Sequence, residues 1–511
     1  MEVICSAVMG ELVSRTISFL VDKYLKQTTA PTEEERLHSL QRLLLRLCII
    51  IEEAEERRIT NQAMLHQLCI LKMEMYRGYY ILDSFSCRAH GEERMNDHQV
   101  SHSFAPSKFN PAKRVCFCSG SSQSASQAEL LEQVLGSIGN TIEDVSEFVI
   151  LLNRCPRLYR QPYNMYLLLD KCMFGRHMEL EYIINFLLQA ETTLGAENPG
   201  VLPIIGPGKV GKSTLIEHAC NNERVRSHFS QILCFGGDDL KDASAVTLRD
   251  AGIIKHQNLT MGSGRTLIII ELVLDIDERL WKRLFSSAKR SIASGSKIII
   301  ASRSDKIASF GSTQALRVQS LTQEAYWYFF KVRIFGCMNA QDHPKLAAIA
   351  MDIARELNGC FMGATIFRGL LKSNFNPHFW SMALACLRKF KRHNMLVYGE
   401  RFVAPWQIEE PIYVRRLEKT SSEYIVILDD YQTESAKSSA NSPTNSGQSK
   451  PEAPKMSVQD LFFGSVRPQG KFNVLAWTSH LPPHYNYMFT CGIQRPRRKV
   501  TRKKCFLKNG N

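Results

Sequence analysis

The stretch that most constrains this chain is Gly206-Pro207-Gly208-Lys209-Val210-Gly211-Lys212-Ser213-Thr214, which has the spacing G-x-x-x-x-G-K-S. It follows an apolar run, Val201-Leu202-Pro203-Ile204-Ile205, that reads as a short buried strand. It precedes Leu215-Ile216-Glu217-His218-Ala219, which reads as the opening turns of a helix. Strand, glycine-rich loop and helix is the context that gives this motif its chemistry. Glycines at 206, 208 and 211 let the backbone turn tightly and aim its N–H groups inward at an anion. The helix N-terminus adds the positive end of a dipole. Lys212 supplies a point charge for β- and γ-phosphates, and the Ser213 hydroxyl is a Mg²⁺ ligand. A chance glycine-rich turn is the competing reading, and the flanking strand and helix argue against it.

The surrounding sequence extends the pattern. Further strands are expected at Gln231 to Phe235, at Thr266 to Ile270 ending in Glu271, at Lys297 to Ala301 ending near Arg303, and at Leu316 to Val318. Short apolar strands alternating with helical segments indicate a parallel sheet covered on both faces. Ligands on such sheets sit at the carboxyl ends of the strands. Gly206, Glu271 and Arg303 all fall there. Glu271 stands where a Mg²⁺-side carboxylate is expected, although a solvated strand end explains it too. Arg303 can serve as a charge-assisted donor to a γ-phosphate or as a plain surface arginine. Asp275, Asp277 and Glu278 read as a solvated loop.

The 511 residues suggest about three domains, with the 44% hydrophobic and 22% charged content of an ordinary globular chain. Fifteen cysteines are scattered without a C-x-x-C pair, the usage of a reduced intracellular protein rather than a disulfide scaffold. No apolar run is long enough for a membrane span. Glu2, Glu11 and Arg15 suit an amphipathic helix better than a signal peptide. Of the formal net charge of +14, eight units come from Arg495, Arg497, Arg498, Lys499, Arg502, Lys503, Lys504 and Lys508, with no acid among them. The pI of about 9.1 is therefore mostly a property of the tail. That tail reads either as a solvated end or as a docking site for a polyanion or a nuclear import receptor.

Ahead of the phosphate loop the periodicity is helical. Leu37, Leu40, Leu44, Leu47, Ile51 and Ala54 form a seam with steps of three and four. A second stripe runs Leu68, Leu71, Met75, Tyr79, Leu82. An earlier one uses Val8, Leu12, Ile17, Leu20 and Leu25. A fourth uses Leu131, Val134, Leu135, Ile138, Ile142, Val145, Val149 and Leu152. Four amphipathic helices predict a four-helix bundle. The Leu37–Ala54 seam carries more apolar surface than one partner helix needs, so pairing with other helical domains is expected as well.

The ordered set of segments resembles the NB-ARC module of plant intracellular immune receptors, the NLRs. Residues 206–214, Ser227-His228-Phe229-Ser230-Gln231, residues 267–271 with Trp281, residues 295–303 and residues 321–330 (Leu-Thr-Gln-Glu-Ala-Tyr-Trp-Tyr-Phe-Phe) carry it. The helical region before them looks like the Rx-type coiled-coil domain. There, residues 75–83 occupy the place of an acidic signature, of which Asp83 survives. The resemblance covers about residues 5 to 400 and looks closest to a grass subgroup. It implies an adenine nucleotide, ADP or ATP, with Mg²⁺ held through Ser213 and Glu271. The implied nucleotide contacts are Gly175, Arg176, Gly206, Gly208, Lys209, Val210, Gly211, Lys212, Ser213, Thr214, Glu271 and Arg303. It also implies partners among helical domains of the chain itself or of related immune receptors.

The chain departs from that pattern in places. The family usually follows its strand with two aspartates, the second assisting hydrolysis; here Glu271 is followed by Leu272, which neither binds Mg²⁺ nor polarises water. The G-L-P-L-A motif appears as residues 359–364, Gly-Cys-Phe-Met-Gly-Ala, without its proline. No M-H-D motif and no leucine-rich periodicity follow residue 400.

The expected fold is multidomain, α and α/β. A four-helix bundle (1–155) precedes a P-loop NTPase parallel-sheet domain (172–320) and a small helical subdomain (321–400). An irregular linker (401–456) and a small C-terminal region with the basic tail (457–511) follow. Residues 472–477 and 485–490 read as a β-hairpin. The expected function is an ADP/ATP-dependent switch or helper in plant innate immune signalling, with weak or no hydrolysis. An active ATPase of another P-loop class and a decoy or adaptor that binds no nucleotide remain as alternatives. The expected location is cytoplasmic, with nuclear or peripheral plasma-membrane association open to the tail.

Overall fold

The computed structural model describes residues 31–97, 120–157, 174–189, 198–236, 253–257, 264–272, 276–336, 338–399, 411–415, 424–434, 456–463, 468–478 and 485–494. The chain divides into two compact units, Met1–Cys360 and Phe361–Asn511.

The first unit begins with helices. Helix α1 (Glu33–Glu55) starts at a capping box: the Glu35 N–H donates to Thr32 Oγ1 and the Thr32 N–H donates to the Glu35 carboxylate. Such a cap stabilises a helix by about 1 kcal/mol, and Glu33, Glu34 and Glu35 suit the dipole there. Helices α2 (Gln62–Asp97), α3 (Gly120–Glu143) and α4 (Ser146–Leu152) follow. The seam residues Leu40, Leu44, Leu47, Ile51 and Ala54 are buried with Leu68, Leu71, Met75, Leu82, Leu131, Val134, Ile138 and Leu152 in one core. Arg57 ties the end of α1 to the end of α4 by donating to the carbonyls of Leu152 and Cys155 at 3.0 and 3.1 Å. The seam is thus consumed inside the layer, which corrects the surplus surface expected of it. The exposed apolar side chains of α1 are Leu45 and Ile49, on another face. The stripe Val8 to Leu25 lies outside the described residues.

Next comes a three-layer α/β part. Helix α5 (His177–Leu188) leads to β1 (Gly200–Ile205), α6 (Lys212–Cys220), α7 (Glu223–His228), β2 (Gln231–Gly236), β3 (Ile253–Gln257), β4 (Thr266–Glu271), α8 (Glu278–Ser291), β5 (Lys297–Ser302) and β6 (Leu316–Arg317). The sheet order is β3-β2-β4-β5-β1-β6. All pairs are parallel except β2 with β3, an antiparallel edge strand not expected from the sequence. Strand side chains alternate between two cores, as a period of two requires. Leu202, Ile204, Leu267, Ile269, Ile299 and Ala301 pack with α5, α6 and α7. Val201, Ile205, Ile268, Ile270, Ile298 and Ile300 pack with Trp281 and Leu284 of α8. Pro203 is tolerated inside β1 because its missing N–H would point to the side of the two-residue β6. The Val201 N–H, two residues earlier, goes that way to Ser312 Oγ, and Gly311 packs on the proline ring.

Two helices close the unit, α9 (Gln323–Phe335) and α10 (Pro344–Leu357), and both pack on α2. Asp83 of α2, 5% exposed, accepts from Trp327 Nε1 at 2.8 Å and from Lys331 Nζ at 2.6 Å. The same ammonium lies 4.8 Å from the centre of the Tyr79 ring. Leu82, the neighbour of Asp83 on α2, is buried in the helical core.

The second unit has helices α11 (Phe361–Ser373) and α12 (Pro377–Tyr398). Strands β7 (Ile412–Arg415) and β8 (Tyr424–Glu434), helix α13 (Val458–Phe463), and strands β9 (Lys471–Thr478) and β10 (Tyr485–Gln494) complete it. The sheet is antiparallel, in the order β7-β8-β10-β9. The expected hairpin is β9 paired with β10. Strands β7 and β8 fall inside the stretch 401–456 that composition reads as irregular. Averaging over polar neighbours hid the β-branched run Ile425, Val426, Ile427. The basic tail from Arg495 onward lies outside the described residues. Among the described residues no helix is long and apolar enough to cross a membrane.

Candidate functional site: the glycine-rich loop at the sheet's carboxyl edge

The loop leaves β1 at Gly206, whose N–H donates to the Ser302 carbonyl at 3.3 Å. A Cβ at 206 would stand 2.3 Å from the Val318 carbonyl oxygen, so only glycine lets the two backbones close here. The loop then needs a left-handed turn. Lys209 has φ 57 and Gly211 has φ 96, with Gly211 as the N-cap of α6. A non-glycine residue in that region costs about 1–2 kcal/mol. Such alternation makes the concave row of N–H groups that suits an anion. Val210 between them is buried in the core shared by α5 and α6 and anchors the turn.

Four side chains converge on this loop. Lys212 Nζ donates to the carbonyls of Gly206 and Pro207 at 2.7 and 2.8 Å. Burial pushes its ammonium down to about 8, Arg303 pushes the same way, and Glu271 opposes them. The Ser213 hydroxyl donates to Glu271 Oε2 at 2.6 Å. The Arg303 guanidinium lies over Gly208, 3.0 Å from where a Cβ would be. Thr214 follows in the first turn of α6, half-buried.

Strand parity explains the convergence. Leu267 and Ile269 face the α5–α6 side, so Glu271 falls on the side of Ser213. Ile299 and Ala301 face the same side, and Arg303 continues that parity. Leu272 falls on the other side. It is 8% exposed and packs in the core with Trp281, and its N–H donates to the Ala301 carbonyl at 2.8 Å.

Gly175 and Arg176 reach the loop's flank. Arg176, only 4% exposed, donates to Glu179 Oε1 at 2.9 Å and to the Gln319 carbonyl, one residue past Val318. Gly175 lies 3.2 Å, measured from a built Cβ, from Leu321. The sequence marks Leu316 to Val318 as a strand but does not signal that the Val318–Gln319 backbone packs on Gly206 and receives Arg176.

The donor set suits the group that the loop's pattern implies. Ser213 and Glu271 offer paired hard oxygens of the kind Mg²⁺ takes together with phosphates and water, and Lys212 and Arg303 offer positive charge beside them. Among the described residues no group of three or more His, Cys, Asp and Glu side chains forms a cage that would hold a metal by itself.

No protein-family model matches the chain. Among solved structures, Drosophila ORC bound to DNA has a TM-score of 0.32 at 13% identity, covering 48% of this chain and 73% of that one. C. elegans PCH-2 has a TM-score of 0.31 at 10% identity, covering 44% and 71%. Among curated proteins, the disease resistance protein RGA2 of Solanum bulbocastanum is 23% identical over 376 residues, 70% of this chain and 36% of that protein. The putative disease resistance protein RGA1 of the same species is 22% identical over 68% of this chain and 35% of its own length. The putative disease resistance RPP13-like protein 1 of Arabidopsis thaliana is 22% identical over 69% of this chain and 34% of its own. The chain is thus distantly similar to plant disease resistance proteins over more than two thirds of its length, and it spans about a third of theirs.

Proposed function

We propose that the chain is an adenine-nucleotide-binding switch or helper in plant defence signalling, holding ADP or ATP with Mg²⁺ and turning it over slowly. The observation that carries this is the approach of Lys212, Ser213, Glu271 and Arg303 to one glycine-rich loop at the carboxyl edge of a parallel sheet. The defence setting rests on the distant similarity to disease resistance proteins.

In this reading the loop N–H groups and the α6 N-terminus hold the phosphates. Lys212 releases the Gly206 and Pro207 carbonyls and turns to the β- and γ-phosphates. Ser213 and Glu271 hold Mg²⁺, which when bound neutralises phosphate charge. Arg303 donates to the γ-phosphate and so reports its presence to the loop through Gly208. Gly175 and Arg176 brace the flank by Val318. A ligand that contacts Arg303 only in the triphosphate form favours one arrangement over the other, which is the physical requirement for a switch. Hydrolysis is slow because Leu272, the residue after Glu271, belongs to the opposite core and brings no base.

The helical N-terminus belongs, in this reading, to the Rx type. Assignment to a grass subgroup rests on the sequence order alone, since the relatives above come from Solanum bulbocastanum and Arabidopsis thaliana. Partner helical domains would meet Leu45 and Ile49 of α1, because the Leu37–Ala54 seam is already covered. The site of action in this reading is the cytoplasm, with nuclear or peripheral plasma-membrane association left to the basic tail.

The test is to identify the nucleotide that copurifies with the full chain and to titrate ADP and ATP into wild type and Lys212→Ala. Removing the main phosphate charge should weaken binding strongly. Equal affinity of the two proteins would remove the loop from the site, and absence of any nucleotide binding would leave an adaptor.

A further inference from the structure

Residues 357–399 contain no aspartate or glutamate and six basic residues, Arg368, Lys372, Arg388, Lys389, Lys391 and Arg392. With the eight charges of the tail they make up the whole formal excess of +14. Four of the six lie within five positions of α12. Two contacts fix which way that helix faces. Its inner side is buried through Phe379, Trp380, Ala383, Leu384 and Leu387. Asn394, fully buried, is paired with the backbone of β7: its Nδ2 donates to the Tyr413 carbonyl at 2.8 Å and its Oδ1 accepts from the Tyr413 N–H at 3.0 Å. At 100° per residue, the opposite side carries Ala385, Arg388, Lys389, Arg392 and Leu396, all exposed. The helix then ends in an apolar tip, with Met395 55%, Leu396 81% and Val397 48% exposed.

We propose that this outward face of α12 docks on an anionic phospholipid surface. The charge selects an anionic partner. The tip selects a bilayer among anionic partners, because three adjacent aliphatic side chains have nothing to meet on a phosphate backbone. The outward positions also carry no aromatic ring on which bases could stack. A bilayer offers both partners at the right depths: phosphates and carboxylates for Lys389 and Arg392, and the acyl boundary for Leu396 and Met395. Lysine and arginine stems also lie along apolar surface while their charged heads stay in the headgroup layer. This docking is independent of the nucleotide site, and it differs from the tail's electrostatics in needing an apolar residue.

The experiment is sedimentation of the full chain with vesicles of phosphatidylcholine containing phosphatidylserine, and with phosphatidylcholine alone. Wild type should bind the anionic vesicles and not the neutral ones. Lys389→Glu/Arg392→Glu should weaken partitioning by about 30-fold or more, from the worth of two basic residues at such a surface. Leu396→Glu should weaken it markedly with every basic residue intact, while Leu396→Phe retains it. Circular dichroism should be unchanged in all three, since the substituted side chains are exposed. Reversal of charge in the tail, Arg497→Glu/Arg498→Glu, should leave the Leu396 dependence in place. The proposal is overturned if wild type does not sediment with anionic vesicles, or if only the tail variant loses binding. It is equally overturned if Leu396→Glu binds as wild type while the charge reversal abolishes binding, which would make the face a general polyanion contact.

Discussion

The contact that joins the helical layer to the helices after the sheet can be tested at one carboxylate. Asp83 accepts from a buried donor, Trp327 Nε1 at 2.8 Å, and a half-buried one, Lys331 Nζ at 2.6 Å, with side-chain exposures of 7% for the acid and 14% for the lysine. Asp83→Ala takes that acceptor from an ammonium and an indole N–H in a place water barely reaches. Breaking a buried pair from one side costs about 3–5 kcal/mol. The Tyr79 ring, 4.8 Å away, keeps its cation–π contact with Lys331 in variant and wild type alike, so it does not offset the loss; with 14% of the lysine side chain exposed, the lower end applies, about 3 kcal/mol. Asp83→Asn keeps one acceptor and loses the charge, for about half that loss. The assay is amide hydrogen exchange, because the chain has two units and a single unfolding transition is not assured. A loss of about 3 kcal/mol corresponds to about 150-fold faster exchange through local opening, confined to α2 and α9, with β7 to β10 unchanged. The asparagine variant should fall between, at about tenfold. If α2 exchanges within about threefold of wild type in the alanine variant, the ion pair does not hold these helices together and the magnitudes above are wrong.

Three other outcomes follow from the loop. Gly206→Ala sets a methyl 2.3 Å from a backbone oxygen, and should lower stability by about 1–3 kcal/mol in thermal melts; Gly208→Ala meets only the movable Arg303 guanidinium and should be nearly neutral in the same melts. The Lys212 amine, pushed down to about 8, is charged below that pH and neutral above it. Affinity for a nucleotide should therefore be full below about pH 8 and fall as pH rises above it, the fall continuing up to the higher value that bound phosphate gives the amine. Lys212→Arg, which keeps its charge, should flatten the calorimetric profile, and a flat wild-type profile up to about pH 9.5 would contradict the shift. Leu272→Asp places a carboxylate in the core around Trp281 and should destabilise by about 2–5 kcal/mol without raising phosphate release; a folded variant with faster release would show that the residue faces the loop after all.

Much of the first unit was legible because its signals are local and strong. Runs such as Ile268-Ile269-Ile270 and Ile298-Ile299-Ile300 admit few readings between glycine-rich turns, and the stripes in 33–58 and 131–152 have no strand-like alternation. Strand β3 was not legible: Ile253-Ile254-Lys255-His256-Gln257 has only two apolar residues, and it is held by antiparallel pairing with β2, a non-local fact. Strands β7 and β8 were lost to averaging over a polar stretch. In the sequence, Asp83 reads only as the remnant of a signature. Its meaning depends on Trp327 and Lys331, 244 and 248 positions away, and no spacing rule reaches that far.

At the loop, the residue types and their order were legible and the directions of two of them only partly so. Strand period, continued through the strand's end, separates Glu271 from Leu272. Leu267, Ile269 and Glu271 share one side of β4, and Ile268, Ile270 and Leu272 share the other. The backbone has not yet turned at 272, because that residue's N–H is still bonded to Ala301 of β5. A carboxylate at 272 can therefore reach the loop only if the strand stops one residue sooner and the chain rotates there. A leucine at 272 has the opposite effect: its burial beside Trp281 stabilises the extended conformation through that residue. The identity of this one side chain thus fixes both the missing base and the local backbone that would have aimed one. Under the proposed function, aiming a carboxylate at the loop would require changing the strand end together with the residue, and Leu272→Asp alone tests half of that coupling.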